Sequence, residues 1–223
     1  ETLMTTIKEI FEETNFNIHD INLIVCDIGP GSFTGIRIGI ATAKAFSDSL
    51  YIPTIGINSL ECLAHNVNSS DIICSIIDCK NNNCYFGLYK FENNKYITIH
   101  NPEATTIDNL LEILETTDYS NETISFVGDG TNTYKDKIKN TISNYKFDQT
   151  ISNDLDIYNL GIAGLERYSD LKKGENILPL YLKKPQAQRQ LESKEFSIEE
   201  MSFDDIKSIN FEKMIKYNVI IAK

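Results

Sequence analysis

From Ile21 to Ile28 the chain reads Ile-Asn-Leu-Ile-Val-Cys-Asp-Ile, a short and almost wholly apolar run that ends in Gly29-Pro30-Gly31. A run of that length closed by glycine and proline predicts a strand buried on both faces, with helices above and below it. The residues that follow predict a helix from about Thr34 to Leu50. A strand passing through a glycine turn into a helix is a βα unit, and it directs the chain toward α/β layer architectures.

The flanking patterns extend this reading. Leu3, Met4, Ile7, Ile10 and Phe11 recur at helical spacing, so an amphipathic helix reaching about Thr14 precedes the strand. Ile52 to Ile57 predicts a second strand, and Asn58 or Ser59 a cap for a helix through His65. The rhythm then changes to an antiparallel meander. Ile72–Asp78, Cys84–Phe91 and Lys95–Ile99 are joined by the Asn-rich turns Lys80–Asn83 and Glu92–Asn94. Thr106 caps a helix through Glu115, Ile124–Val127 is a buried strand ending in Gly128-Asp129-Gly130, and helices follow near Thr131 and over Leu160–Leu171. A meander with βα units fits a two-lobed α/β fold of mixed sheets, ribonuclease H-like and of the actin/sugar-kinase class. The expected boundaries are an N-terminal lobe over 1–66, a C-terminal lobe over 67–192 and an extension over 193–223. In that extension Ser202 and Asp205 form a candidate capping box.

The glycine turn sits where phosphate loops sit, yet it matches neither common pattern. Gly35 is followed by Ile36 rather than by the Lys-Ser/Thr pair that reaches phosphate and metal. Against the dinucleotide fingerprint Gly29 and Gly31 match, but Gly35 comes one residue late, and no acidic residue stands about 20 positions on. The following helix carries Gly35, Gly39 and Ala43 at intervals of four, on one face. Glycine costs about 1 kcal/mol relative to alanine inside a helix, so something presses on that backbone. The presser is either the chain's own sheet or a partner's helix.

Charge and chemistry narrow the function. A net charge of −11 argues against this chain being the main grip on nucleic acid, because phosphate neutralisation by Lys and Arg dominates such binding. Lys183, Lys184 and Arg189 form the local basic cluster of note. No apolar run approaches the roughly 20 residues of a membrane span. Cys26, Cys62, Cys74, Cys79 and Cys84 contain no Cys-x-x-Cys pair, and His19, His65 and His100 stand apart, a pattern suited to a reducing cytoplasm. Cys26 and Cys74 read as buried thiols, while Cys79 and Cys84 flank a turn and are placed for free thiols, a disulfide or a metal. Asp27 and Asp78 fall at strand ends, where they serve as catalytic carboxylates or as capped, solvated ends. Ser32 and Thr34 are nucleophiles on paper without a nearby histidine in sequence, and otherwise helix caps. Arg37 and Lys44 suit a phosphate or a partner carboxylate.

The segment Gly29-Pro30-Gly31-Ser32-Phe33-Thr34-Gly35-Ile36-Arg37-Ile38-Gly39, followed by an alanine-rich helix, closely resembles the TsaB family, also called YeaZ. Ile55–Glu61 resembles its Gly-Val-Ser-Ser-Leu segment. Asp78–Tyr85 resembles its Asp-Ala-Arg strand pair, with Cys79 and Lys80 in place of Ala-Arg. Gly128-Asp129-Gly130 and Pro179–Lys183 resemble its later motifs. The resemblance covers Glu1 to Glu192. It implies an actin-like fold that has lost its own active site and acts as a non-catalytic scaffold. The chain would pair with TsaD, a paralogous subunit that holds the metal and transfers a threonylcarbamoyl group to the adenosine beside the anticodon of tRNA. TsaE, an ATPase, joins them. ATP is used by the pathway, no cofactor is assigned to this chain, and tRNA is met only indirectly. The resemblance also implies pairing through the first two helices, with a homodimer possible when TsaD is absent. Leu3, Ile7, Ile10, Gly35, Ile36, Gly39 and Ala43 are the expected partner face. Family members begin with a strand carrying an Asp-Thr-Ser-Thr-like sequence and its hairpin; this chain opens inside a helix at Glu1, so the first lobe is expected to lack those strands. The alternative is an enzyme with a degenerate nucleotide site, an acyl or phosphoryl transferase or a glycoprotease-like peptidase.

Overall fold

The computed structural model describes residues 2–69, 71–116, 119, 121–148 and 151–183. The extension over 193–223, with Lys184 and Arg189, lies outside the described residues.

The chain opens with α1 (Thr2–Thr14), a 3-10 turn at Ile18–Asp20 and β1 (Ile24–Asp27). Next come α2 (Phe33–Leu50), β2 (Thr54–Ile57) and α3 (Ser59–Ala64). The meander is β3 (Ile72–Asp78), β4 (Asn83–Glu92) and β5 (Lys95–Thr106). The return consists of α4 (Ile107–Thr116), β6 (Ile124–Val127), α5 (Asp129–Thr141), β7 (Tyr145–Lys146) and α6 (Ile157–Leu171). Two sheets result. β1 and β2 run parallel, while the larger sheet has the order β5-β4-β3-β6-β7, antiparallel across the meander and parallel from β3 through β7. This is the mixed-sheet α/β architecture expected from the meander and its βα return.

Each sheet is covered on both faces. In the larger one Ile72, Cys74, Ile76, Phe86, Leu88 and Phe126 point toward Leu110 and Leu114 of α4 and Ile138 of α5. Ile73, Tyr89 and Val127, one residue out of phase, meet Leu60 and Leu63 of α3, as the period of two in a strand requires. In the smaller sheet Ile55 and Ile57 meet Leu160 and Ala163 of α6, while Ile24 and Cys26 meet Ile36, Ile40 and Ala43 of α2.

Two expectations need correction. The strand expected from Ile21 begins at Ile24, because the 3-10 turn and its Ile21 cap take the residues before it. Nor is β1 buried as expected. All four residues are half-buried, and among the described residues β2 is its one paired neighbour. Among the described residues no helix is long and apolar enough to cross a membrane.

Candidate functional site

The surface of α1 and α2 leaves apolar side chains exposed around a groove. On α1, Leu3, Met4 and Ile10 are exposed, Ile10 to 53%. Ile7 and Phe11 are half-buried, and with Phe46 of α2 they line an apolar groove of about 460 Å³ that Met4 and Phe16 extend. On α2, Ile38 is 50% exposed and is flanked by the exposed Gly35, Ala41 and Ala45.

This corrects part of the expected partner face. Ile36 and Ala43 are buried against the chain's own β1, and Gly39 is half-buried with Cys26 Sγ 3.9 Å from where its Cβ would stand. The physical reason is that α2 carries two apolar stripes. Ile36, Ile40 and Ala43, at i, i+4 and i+7, bring the larger side chains and take the core side. The outward stripe is Gly35–Ile38–Ala41–Ala45, on the opposite side of the helix. Ile38, Met4 and Phe16 were not assigned to the partner face from the sequence. The i, i+4, i+7 spacing of Ile36, Ile40 and Ala43 was the signal that would have assigned the faces.

The glycine turn behind α2 is a structural knot. Asp27 at the end of β1 accepts from Gly29 N–H (2.9 Å) and from the Ser59 hydroxyl (2.8 and 3.0 Å). Burial pushes the Asp27 carboxyl up from its ordinary value, and these two donors only partly offset it. Pro30 is buried behind a cis Gly29–Pro30 bond. Ser32 caps α2 by accepting from Gly35 N–H at 3.3 Å, as expected of a helix cap. Thr34 is exposed on the first turn. Phe33 stacks on Tyr181 (4.7 Å), Arg37 lies 4.0 Å over the Phe33 ring, and its Nε donates to the Tyr181 hydroxyl (2.7 Å). The segment ending the described chain is thereby fastened to the motif, with Leu180 N–H donating to Ile28 O.

Asp78 closes β3 in a comparable way. It accepts from Lys80 N–H and Nζ and from the Tyr134 hydroxyl (2.8 Å), while its own N–H donates to Asp129 Oδ1. Burial alone would raise this carboxyl, but the Lys80 and Tyr134 hydrogen bonds outweigh it and hold Asp78 below its ordinary value. Both strand-end carboxylates are thus committed to donors from neighbouring turns and helices. Ser59 donates to Asp27, and the His65 Nδ1 faces Glu61 O at 2.9 Å, so neither supplies a serine–histidine pair. Among the described residues no three His, Cys, Asp or Glu side chains converge as a metal set. The five cysteines are free, Cys74 and Cys84 buried and Cys26 half-buried, and Lys183 Nζ lies 3.0 Å from Cys79 Sγ.

Comparison with known proteins gives this geometry a family. A family model described as TsaD: tRNA N6-adenosine threonylcarbamoyltransferase matches residues 1–191. The tRNA threonylcarbamoyladenosine biosynthesis protein TsaB of Bacillus subtilis (strain 168) is 30% identical over 145 residues, 65% of this chain and 62% of that protein. TsaB of Escherichia coli (strain K12) is 28% identical over 97 residues, 42% of each. The chain therefore spans less than two thirds of the length of these relatives. A crystal structure from Pseudomonas aeruginosa, of an uncharacterized protein with similarity to the peptidase YEAZ, superposes with a TM-score of 0.68 at 18% identity over 82% of this chain and 83% of that one. YeaZ from the same organism gives a TM-score of 0.63 at 17% identity, covering 81% and 83%. The two likenesses show that the chain shares the fold of these YeaZ structures. The chain belongs to the family that the TsaD model describes, and within its relatives to the TsaB (YeaZ) members.

Proposed function

We propose that this chain takes part in forming N6-threonylcarbamoyladenosine beside the anticodon of tRNA, as a non-catalytic subunit that pairs with TsaD through the outer faces of α1 and α2. The observation that carries the reading is the apolar strip left exposed there, Leu3, Met4 and Ile10 on one helix and Ile38 on the other. Exposed apolar surface of this kind marks association sites, and the small neighbours Gly35 and Ala41 permit close approach of a partner helix. TsaE and the ATP of the pathway then act on the assembled complex, and the chain binds no cofactor of its own. With a charge of −11 it meets tRNA through its partners rather than directly. Free thiols in all five cysteines suit a cytoplasmic setting.

The test is calorimetric titration of purified TsaD with Ile38→Asp and Ile10→Asp variants. Each places a charge in the proposed contact and weakens pairing by at least about tenfold, a loss typical of a disrupted interface centre. Their urea midpoints stay near that of the parent, because both side chains already face water. Parental affinity in both variants overturns the reading. The enzyme alternative is checked on the isolated chain. ATP or peptide turnover that disappears in Asp27→Ala or Asp78→Ala replaces the scaffold reading with a catalytic one.

A further inference from the structure

A second site lies between α3, α6 and β5. A cavity of about 330 Å³ opens there, with four carboxylates and two cationic side chains on its walls. Most of these charges are already paired. Arg167 donates to both oxygens of Glu61 (3.0 and 2.9 Å) and to Gly56 O (2.7 Å). Lys95 donates to both oxygens of Asp170 (2.7 and 2.9 Å). Glu175 accepts from Gly56 N–H at 3.3 Å. Two groups are left over.

The first is His65, whose side chain is 4% exposed. Its Nδ1 sits 2.9 Å from Glu61 O. A carbonyl only accepts, so Nδ1 carries a hydrogen, and in the neutral tautomer with that hydrogen Nε2 presents a lone pair. That Nε2 is buried and has no hydrogen-bond partner. The second is Glu166, 39% exposed, whose Oε2 stands 3.6 Å from Nε2, too far for a hydrogen bond. In that tautomer two acceptors face each other across one gap with no donor between them, which leaves a buried polar atom unsatisfied. The Tyr96 ring packs against the imidazole with centroids 3.9 Å apart and closes one side.

We infer that this cavity binds a small organic ammonium ion, whose N–H groups donate together to His65 Nε2 and the Glu166 carboxylate beside the Tyr96 ring. Three features select that chemistry. The gap requires a donor to both sides, which an ammonium supplies and an anion does not. The walls carry more negative than positive side chains, and an aromatic ring next to the gap favours a cation. A divalent metal is the poorer occupant. Only two unspent ligands converge, whereas zinc sites supply three or four, and among the described residues no larger set exists.

Putrescine is the probe. It is titrated into the full chain at constant ionic strength and about pH 8.5, above the ordinary range of imidazole protonation, with the His65 ring nitrogens followed by 15N NMR. The expected result is a saturable shift of Nε2 that sodium chloride at the same ionic strength does not produce. Glu166→Gln weakens binding by at least about tenfold, the loss expected for a hydrogen bond to a charged group. Its melting temperature is unchanged or raised, since the new amide is able to donate to Nε2 itself. The inference is overturned by the absence of a saturable shift or by equal affinity in Glu166→Gln. It is also overturned by an Nε2 already protonated and bonded to Glu166 without ligand at that pH, which would make the gap an internal ion pair. Failure here leaves pairing through α1 and α2 untouched, because none of these residues lies on those helices.

Discussion

β1 and β6 share one local design and end in different surroundings. Each is a four-residue apolar strand, Ile-Val-Cys-Asp in β1 and Ile-Ser-Phe-Val in β6. Each runs through a glycine held at positive φ, 95° at Gly29 and 102° at Gly128, into a helix. β6 has a parallel neighbour on both edges and is wholly buried. β1 pairs with β2 alone among the described strands and stays half-buried. An apolar run and a glycine turn thus specify the βα unit, whereas burial depends on what the rest of the chain places at the strand's edges. The unit with incomplete surroundings is also the one beside the exposed apolar helices, and the proposed partner surface belongs there.

The sharpest test of that contrast is to replace the two turn glycines by alanine. At Gly128 a Cβ would overlap the backbone carbonyl of Ile76, which cannot move without shifting β3. Positive φ adds strain, so Gly128→Ala should cost about 4 kcal/mol, the two effects together. At Gly29 the obstruction is Ile36 Cδ1, 2.6 Å from the same point and the far end of a flexible side chain. Gly29→Ala should cost about half as much, mostly the backbone term. Urea unfolding of both variants measures the difference. Equal losses would mean that the half-covered unit is as rigid as the buried one, and the contrast would fail.

The elements themselves were largely legible in the sequence. The bounds of β3 and β6 coincide with their apolar runs, and Thr106 caps α4 by accepting from Asn109 N–H at 3.2 Å. What escaped depends on neighbours rather than on local pattern. β5 continues to Thr106, beyond the Ile99 at which the pattern ended it; it is an edge strand of the sheet, where a proline's missing N–H leaves no ladder bond broken. β7 has only two residues, too few for any periodicity, and exists because β6 offers it an edge. The orientation of α2 was misread for the same reason. Its glycines and alanines suggested a face of close approach, whereas the bulkier Ile36–Ile40–Ala43 stripe is the one that meets β1. Of the site, the motif and the α1 stripe were visible, while the ties of Arg37 and Phe33 to Tyr181 span about 145 residues of sequence and leave no local trace.

The two strand-end aspartates extend the contrast to pH, with smaller effects. Asp78 is held below its ordinary value, so its contribution to stability is present at neutral pH and is lost as pH falls through its lowered folded pKa. Asp27 is held above its ordinary value, so its contribution is present below the unfolded pKa of about 3.9 and is lost as pH rises through the folded one. Opposite outcomes follow at pH 7. Asp78→Asn loses about 1–2 kcal/mol as charged hydrogen bonds are weakened. Asp27→Asn matches or exceeds the parent, since the amide oxygen still accepts from Gly29 and Ser59. Both differences shrink below about pH 3.9. Urea midpoints for the three proteins between acid and neutral pH give the answer, and a destabilised Asp27→Asn at pH 7 would show that the buried charge is better compensated than its surroundings indicate.

The smallest expected change is the most direct probe of why α2 carries a glycine at position 39. Two helices cover β1, one on each side, and each brings a glycine to it. On α6, a Cβ at Gly164 would overlap both methyl groups of Val25, so that glycine is required by the chain's own packing. On α2, a Cβ at Gly39 would find only Cys26 Sγ at 3.9 Å, an ordinary contact. Gly39→Ala should therefore stabilise the isolated chain by about 0.5–1 kcal/mol, the helix-propensity difference, and Gly164→Ala should destabilise it. The sign at Gly39 is the informative quantity. A loss would place Gly39 in the core alongside Gly164 and withdraw it from any partner face. A gain means that folding alone does not require the glycine, and then titration with TsaD is decisive. Weaker pairing in the more stable variant identifies Gly39 as a point of close helix approach, whereas undiminished pairing confines the contact to Ile38 and the α1 stripe.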